Sequence, residues 1–313
     1  MRRAIASDFA SIPGARVVMT LDARLPDEPG PWSLIRIGPD EADDTWARLG
    51  ADADWTVLVA PETGGILADC SRTLAARGGR TLGATPEAIE LTGDKERLET
   101  FLRALGIRTP THRRVIPAHG LPSDAPYPAV LKPIDGAGST ETYWIGSPED
   151  LPESARVEEV VLLQPYVSGI PSSASFLVGP EGRAQFVGIG RQRVEIEEGR
   201  FVYRGGVLPD RDADFAPVLA RAVEAVPGLR GFVGVDFLRD QNKYDHTGVT
   251  ILEINPRPTT SYVGLAQLLP PGQLAKAWIE TMEGTTEQPA EGLAKWVRSR
   301  GPVTFNADGT LLK

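Results

Sequence analysis

Two acidic side chains stand where buried strands ordinarily carry none. In residues 231–262, GFVGVDFLRDQNKYDHTGVTILEINPRPTTSY, the apolar run Phe232 to Leu238 holds one charge, Asp236. The run Thr250 to Asn255 holds Glu253 and Asn255 two apart. Strand alternation puts those two on one face and Leu252 and Ile254 on the other. The polar stretch 239–248 reads as the loop of an antiparallel hairpin that lays Asp236 beside Glu253. Buried carboxylates need compensation, so this pair and an amide carbonyl call for a cation. Oxygen donors without His or Cys suit Mg2+ or Mn2+, and Mg2+ takes one or two carboxylates plus substrate phosphates. The bland alternative is an amphipathic hairpin whose acids face water. Pro256-Arg257-Pro258 directly downstream argues against it, since a fixed cation then follows the acids.

The whole chain bounds what this site can belong to. With 313 residues, 41% hydrophobic and 24% charged, it has an ordinary globular composition and room for one large or two to three small domains. A formal net charge of −9, with no Lys/Arg-rich run, argues against a nucleic-acid partner. The single cysteine, Cys70, excludes an internal disulfide and a cysteine-based zinc cluster and fits a reducing cytosol. No apolar run reaches 18 residues, and Asp8 interrupts the N-terminal segment, so neither a membrane span nor an export signal is expected. His112, His119 and His246 are too far apart to suggest a metal cluster or a triad.

Six lysines stand against 27 arginines. A chain that otherwise prefers Arg keeps Lys where a compact point charge is wanted, as at phosphates. Two of the six fall in suggestive places. Lys95 follows Gly93-Asp94 at the start of a helix over 95–105, with Thr92 and Asp94 as capping candidates. Lys132 ends the short apolar strand of AVLKPIDGAGS (129–139), whose Gly136, Gly138 and Ser139 form a flexible loop able to bring backbone N–H groups against phosphate oxygens. It is not a P-loop, because G-x-x-x-x-G-K-[ST] is absent. Taken singly, Lys95 is a surface lysine and the glycine loop a hairpin turn.

The elements that must position these residues follow in order. Residues 1–91 alternate helix and strand: a helical start, strands at 17–20 and 32–37, a helix at 40–49, an apolar parallel-type strand at 55–60 and a helix at 62–76. This is a small Rossmann-like module without a G-x-G-x-x-G turn and without an initial strand. Residues 158–178, EEVVLLQPYVSGIPSSASFLV, give a strand, a hinge and a second strand. Residues 187–204 form a hairpin carrying Arg191, Arg193 and Arg204. An amphipathic helix spans 274–282, and 297–312 gives short strands and turns.

Together G-D-K (93–95), the strand-Lys-glycine loop, L-Q-P-Y-V (163–167), G-V-D-F (234–237) and L-E-I-N-P-R (252–257) resemble, in kind and order, the ATP-grasp enzymes over roughly 84–265. The resemblance implies an α/β and α+β fold: a pre-ATP-grasp domain (1–91), lacking its first strand, a small ATP-grasp subdomain (92–167) and a large one with the metal site (168–313). It implies ATP and Mg2+ (or Mn2+) as cofactors, with Lys95, Lys132 and the glycine loop on the phosphates. Adenine would be held in the hinge of Gln164, Pro165, Tyr166 and Val167, through the carbonyl of Pro165 and the amide of Val167, and ribose near Ser172, where many relatives have a carboxylate. Asp236, Glu253 and Asn255 would hold the metal, and Arg257, with Arg191 and Arg204, would act on the transferring group. The implied activity is carbon–nitrogen ligation: an acid activated as an acylphosphate, with ADP released, then displacement of phosphate by an amine. The segment 60–67 and the hinge extension 168–176 are most similar to amino-acid ligases of the tyramine–glutamate type. On that likeness glutamate is the acid, an aromatic amine the nucleophile, and Glu62 either an acceptor-site residue or a plain helix-start carboxylate. A small-molecule kinase and a non-catalytic nucleotide-binding subunit remain alternatives. The expected partners are small-molecule acid and amine substrates, in the cytoplasm, with a homodimer left open and neither nucleic acid nor membrane.

Overall fold

The computed structural model describes residues 1–38, 42–136, 140–210, 215–240, 248–285 and 290–312. The chain opens with helix α1 (Arg2–Ala10), then parallel strands β1 (Val18–Asp22) and β2 (Ser33–Ile37), helix α2 (Ala42–Ala51) and helix α3 (Ile66–Ala76). The apolar run 55–60 does not become a ladder strand. Its chain pairing is a bridge of Thr56 to Thr81, with Thr56 N–H on Arg80 O at 2.8 Å and Leu82 N–H on Thr56 O at 2.9 Å. Its apolar residues instead serve two cores: Leu58 and Ala60 pack on one cluster, Trp55 and Val57 on another. The helix expected from Glu62 starts at Ile66, because Gly64 and Gly65 take positive φ of 62° and 75°, left-handed values that a helix cannot contain.

Helices α4 (Pro86–Gly93) and α5 (Lys95–Ala104) follow end to end. Thr85 caps the first, and the Asp94 carboxylate caps the second by accepting from Glu96 and Arg97 N–H, both at 3.0 Å. Thr92 is not a cap; its hydroxyl donates back to Ala88 O at 2.8 Å inside α4.

Among the described residues eleven strands then form one sheet. Strands β3 (Arg113–Val115), β4 (Ala129–Pro133), β5 (Tyr143–Ile145) and β6 (Val161–Pro165) make its smaller half, over a core that includes Leu131, Ile145 and Leu163. The larger half contains β7 (Ile170–Val178), β8 (Ala184–Glu197), β9 (Arg200–Leu208), then, after α6 (Ala216–Ala225), β10 (Gly231–Arg239) and β11 (Val249–Asn255). The halves join where Tyr143 of β5 pairs with Arg200 of β9. Helices α7 (Ser261–Leu268), α8 (Gln273–Glu283) and α9 (Glu291–Ser299) precede the short strands β12 (Val303–Phe305) and β13 (Leu311–Leu312). Residues 297–299 thus end a helix rather than begin the terminal turns.

Helix α1 is tied to this layer by Asp8. Its buried carboxylate accepts from Tyr262 Oη at 2.8 Å, Gly272 N–H at 2.7 Å and Ala275 N–H at 2.9 Å. The start of α8, whose own N-cap side chain offers nothing, is capped from the other end of the sequence. Among the described residues no helix is long and apolar enough to cross a membrane.

Candidate functional site

The acid hairpin forms as its alternation predicts, with one correction. Strands β10 and β11 are antiparallel and Asp236 lies directly opposite Glu253, but the register slips between Asp236 and Phe237, which faces Ile251. Leu252 is therefore the extra residue of a β-bulge. It lines the central cavity together with Glu253 instead of pointing away, as bulges re-aim side chains. The Asn255 amide reaches both acids, Nδ2 lying 3.4 Å from Asp236 Oδ2 and 3.3 Å from Glu253 Oε1. Burial and the Glu253 charge push the Asp236 carboxyl well above the usual carboxylate range. Burial acts in the same direction on Glu253, but Lys95, Asp236 and Lys132 outweigh it and hold that carboxyl low.

The chemistry of this donor set fits Mg2+. Among the described residues no three His, Cys, Asp or Glu side chains could hold a metal by themselves. Two carboxylates and an amide oxygen leave the remaining positions to water and phosphate, which is how Mg2+ prefers to be bound.

Opposite the acids stand both singled-out lysines. Lys95 opens α5, its N–H on Ile134 O at 3.0 Å and its Nζ on Gly136 O at 2.8 Å, so the helix start and the loop after β4 are joined. Lys132 projects from β4; burial and then the Lys95 charge lower its ammonium to about 8, against the pull of Glu253 and Glu99. Gly136 lines the cavity, whereas Gly138 and Ser139 lie outside the described residues.

The cavity encloses about 520 Å³, within the range of small-molecule sites. At the hinge Gln164, Tyr166 and Val167 line it. Pro165 contributes its place in the β4–β6 ladder opposite Ala129, and Tyr166 N–H donates to Pro128 O at 2.9 Å. Ser172 is turned away: it is fully buried and its hydroxyl donates to Ile170 O at 3.2 Å. Strand alternation gives the cavity to Ser173 instead.

The three arginines separate. Arg191 pairs with Asp210 at 3.0 Å, and Arg204 binds Glu195 at 3.0 Å and Glu197, both away from the cavity. Arg257 lines it, and its guanidinium grips Glu62 through Nε at 2.9 Å and Nη2 at 3.0 Å. The β8–β9 hairpin reaches the site through residues the sequence reading passed over. Gln192 Nε2 donates to Asp236 Oδ1 at 2.9 Å, and Tyr203 lies so close that burial and the Asp236 charge push its phenol up. The signal was present. Glu198 and Gly199, both at positive φ, make a two-residue turn that fixes Val194 opposite Tyr203 and so sets which alternate residues share the inner face.

Comparison with known proteins gives this geometry a context. The sequence matches the ATP-grasp domain family over residues 92–261 and the pre ATP-grasp 3 domain family over 15–89. It is 28% identical over 216 residues to tyramine–L-glutamate ligase of Methanocaldococcus fervens, covering 68% of this chain and 61% of that protein. The chain thus spans about three fifths of that relative's length. Among solved structures it resembles biotin carboxylase of Campylobacter jejuni (TM-score 0.74, 16% identity, 97% of this chain and 72% of that one). It also resembles L-amino acid ligase of Bacillus licheniformis (TM-score 0.61, 16% identity, 81% and 63%).

Proposed function

The chain belongs to the ATP-grasp family, and on that premise we propose that it is an ATP-dependent carboxylate–amine ligase that releases ADP and phosphate. The observation that carries the reading is the facing, half-buried pair Asp236 and Glu253, confronted across one cavity by Lys95 and Lys132. Four charges of that arrangement have no purpose in packing and match a metal–triphosphate complex.

In this reading Asp236, Glu253 and the side-chain oxygen of Asn255 would hold Mg2+, which would supply neutralisation of phosphate charge. Lys95 and Lys132 bind phosphate oxygens beside Gly136 of the glycine loop, and Gln164, Pro165, Tyr166 and Val167 receive the base. An oxygen of the substrate carboxylate attacks the γ-phosphorus, the bond to the β–γ bridging oxygen breaks, and ADP leaves. Arg257 steadies the transferred group while the amine nitrogen attacks the acyl carbon, expelling phosphate and losing a proton. Arg191 and Arg204 are given no part, and ribose is assigned to the neighbourhood of Ser173 rather than Ser172. Divisions near 91 and 167 remain the proposed domain boundaries.

The likeness to tyramine–L-glutamate ligase supports glutamate as the acid and an aromatic amine as the nucleophile. The test is ADP and phosphate release from Mg-ATP with a panel of amino acids and amines, followed by mass spectrometry. Turnover requiring one acid and one amine supports the ligase. A stable phosphorylated product without amine would mark a kinase, and ATP binding without turnover a binding subunit.

A further inference from the structure

Glu62 belongs to the short turn before α3 and is 8% exposed. It does not line the central cavity, yet both of its carboxylate oxygens meet Arg257, 195 residues away, at 2.9 and 3.0 Å. Its stem is packed as well: a Cβ added at Gly93 would lie 3.1 Å from Glu62 Cβ. The same turn makes a second contact with the site, Gly64 N–H donating to Asp135 Oδ2 at 2.8 Å. Asp135 directly precedes Gly136, the described glycine of the phosphate loop.

One hydrogen bond, Nη2 to Oε2, and the close ion-pair approach of Nε to Oε1, which lacks hydrogen-bond geometry, together restrain the guanidinium against both carboxylate oxygens. Glu62 occupies the Nε/Nη2 edge, and Nη1 rests 3.3 Å from Pro258 O. The remaining N–H directions are those available to the cavity that Arg257 lines. Release of Glu62 during the reaction is disfavoured, because a buried carboxylate would be stranded.

We propose that Glu62 is a positioning residue: it holds the Arg257 guanidinium in the orientation that receives the terminal phosphoryl group, and the first domain thereby completes a site built by the others. The proposal rests on the ATP-grasp ligase reading above. It places Glu62 behind Arg257 rather than against the acceptor substrate, and it differs from a helix-start carboxylate, for which the Arg257 contact would be incidental.

The test is calorimetric binding of two ligands with Mg2+, a non-hydrolysable ATP analogue and ADP, to wild type, Glu62→Gln, Arg257→Gln and the double variant. An oriented Arg257 acts on the terminal phosphoryl group, so Glu62→Gln should weaken the analogue about tenfold and leave ADP within about twofold. Arg257→Gln should do the same, and Glu62→Gln should add nothing in its presence. Equal weakening of both ligands, an unchanged analogue affinity, or additive effects in the double variant would each overturn the proposal. Should Glu62→Gln alone fail to fold because Arg257 is left uncompensated, the double variant against Arg257→Gln still decides. Wild-type protein that binds neither ligand would instead remove the nucleotide reading, and this inference with it.

Discussion

Replacing Lys132 by Met should stabilise the ligand-free protein while disabling it. The lysine is held in the cavity with its ammonium lowered from 10.5 to about 8, first by burial and then by Lys95. At pH 7 that difference amounts to about 3 kcal/mol against the folded state, and screening by water in the cavity leaves about 2 kcal/mol. Methionine keeps the apolar stem and removes the charge. The sign in pH follows from the same difference. The folded protein binds this proton less tightly than the unfolded chain, so the penalty is complete below about pH 8 and fades towards the unfolded value of 10.5. Urea denaturation at pH 7 and pH 9.5 should find Lys132→Met more stable at both, with the advantage at pH 9.5 about half that at pH 7. A variant less stable than wild type, or an advantage that does not change with pH, would refute the account. Nucleotide should reverse the preference: phosphates favour the charged lysine, so Mg-ATP binding above pH 8 should take up a proton, visible as a buffer-dependent heat, and the variant should lose that uptake.

Other expectations follow from separate contacts. Asp236→Asn or Glu253→Gln should lower Mg-ATP turnover more than about 100-fold, with circular dichroism unchanged; normal turnover in either would remove the metal assignment. Asp8→Ala leaves the Tyr262 hydroxyl and two α8 N–H groups unpaired in the interior and should cost about 3–5 kcal/mol in chemical denaturation. Gly231→Ala should fail more severely, as a folding yield measurement would show, because φ is +83° and the added Cβ would lie 2.1 Å from Leu82 O. Gly64, also at positive φ but with nothing within 4 Å of an added Cβ, should accept Ala at about 1 kcal/mol.

The legible parts of the site were those in which a strand carried an anomaly. Asp236, Glu253 and Asn255 were visible because charge interrupts apolar alternation, and Lys95 and Lys132 because lysine is scarce in this chain. Antiparallel pairing of β10 with β11 followed directly. Side-chain direction was harder. A single inserted residue at Leu252 shifts the phase of β11, and no propensity marks it. Position along the chain points to Ser172 and Arg191, and each stands one residue from the side chain that reaches the cavity, Ser173 and Gln192. Arg204 is fully engaged by acids on its own hairpin, a local pairing that outweighs any distant ligand. The run 55–60 looked like a sheet strand because apolar continuity records burial, not ladder bonding. The partner of Glu62 lies 195 residues away, beyond any local pattern.

The seam between β5 and β9 has a mechanical meaning. The two halves of the sheet are held across it by Tyr143 opposite Arg200 and by the flanking bonds Trp144 N–H to Gly199 O at 2.7 Å and Phe201 N–H to Thr142 O at 2.9 Å. By contrast, β7 and β10 are paired along nine residues. Among the described residues, the join with the fewest ladder pairs thus lies between the cavity wall on β4 and the wall on β8–β11. The two walls are tied less by the sheet than by α5, which packs Leu98 and Leu102 in the core of the larger half and reaches the smaller through Lys95 to Ile134 O and Gly136 O and through Glu96 to Arg114.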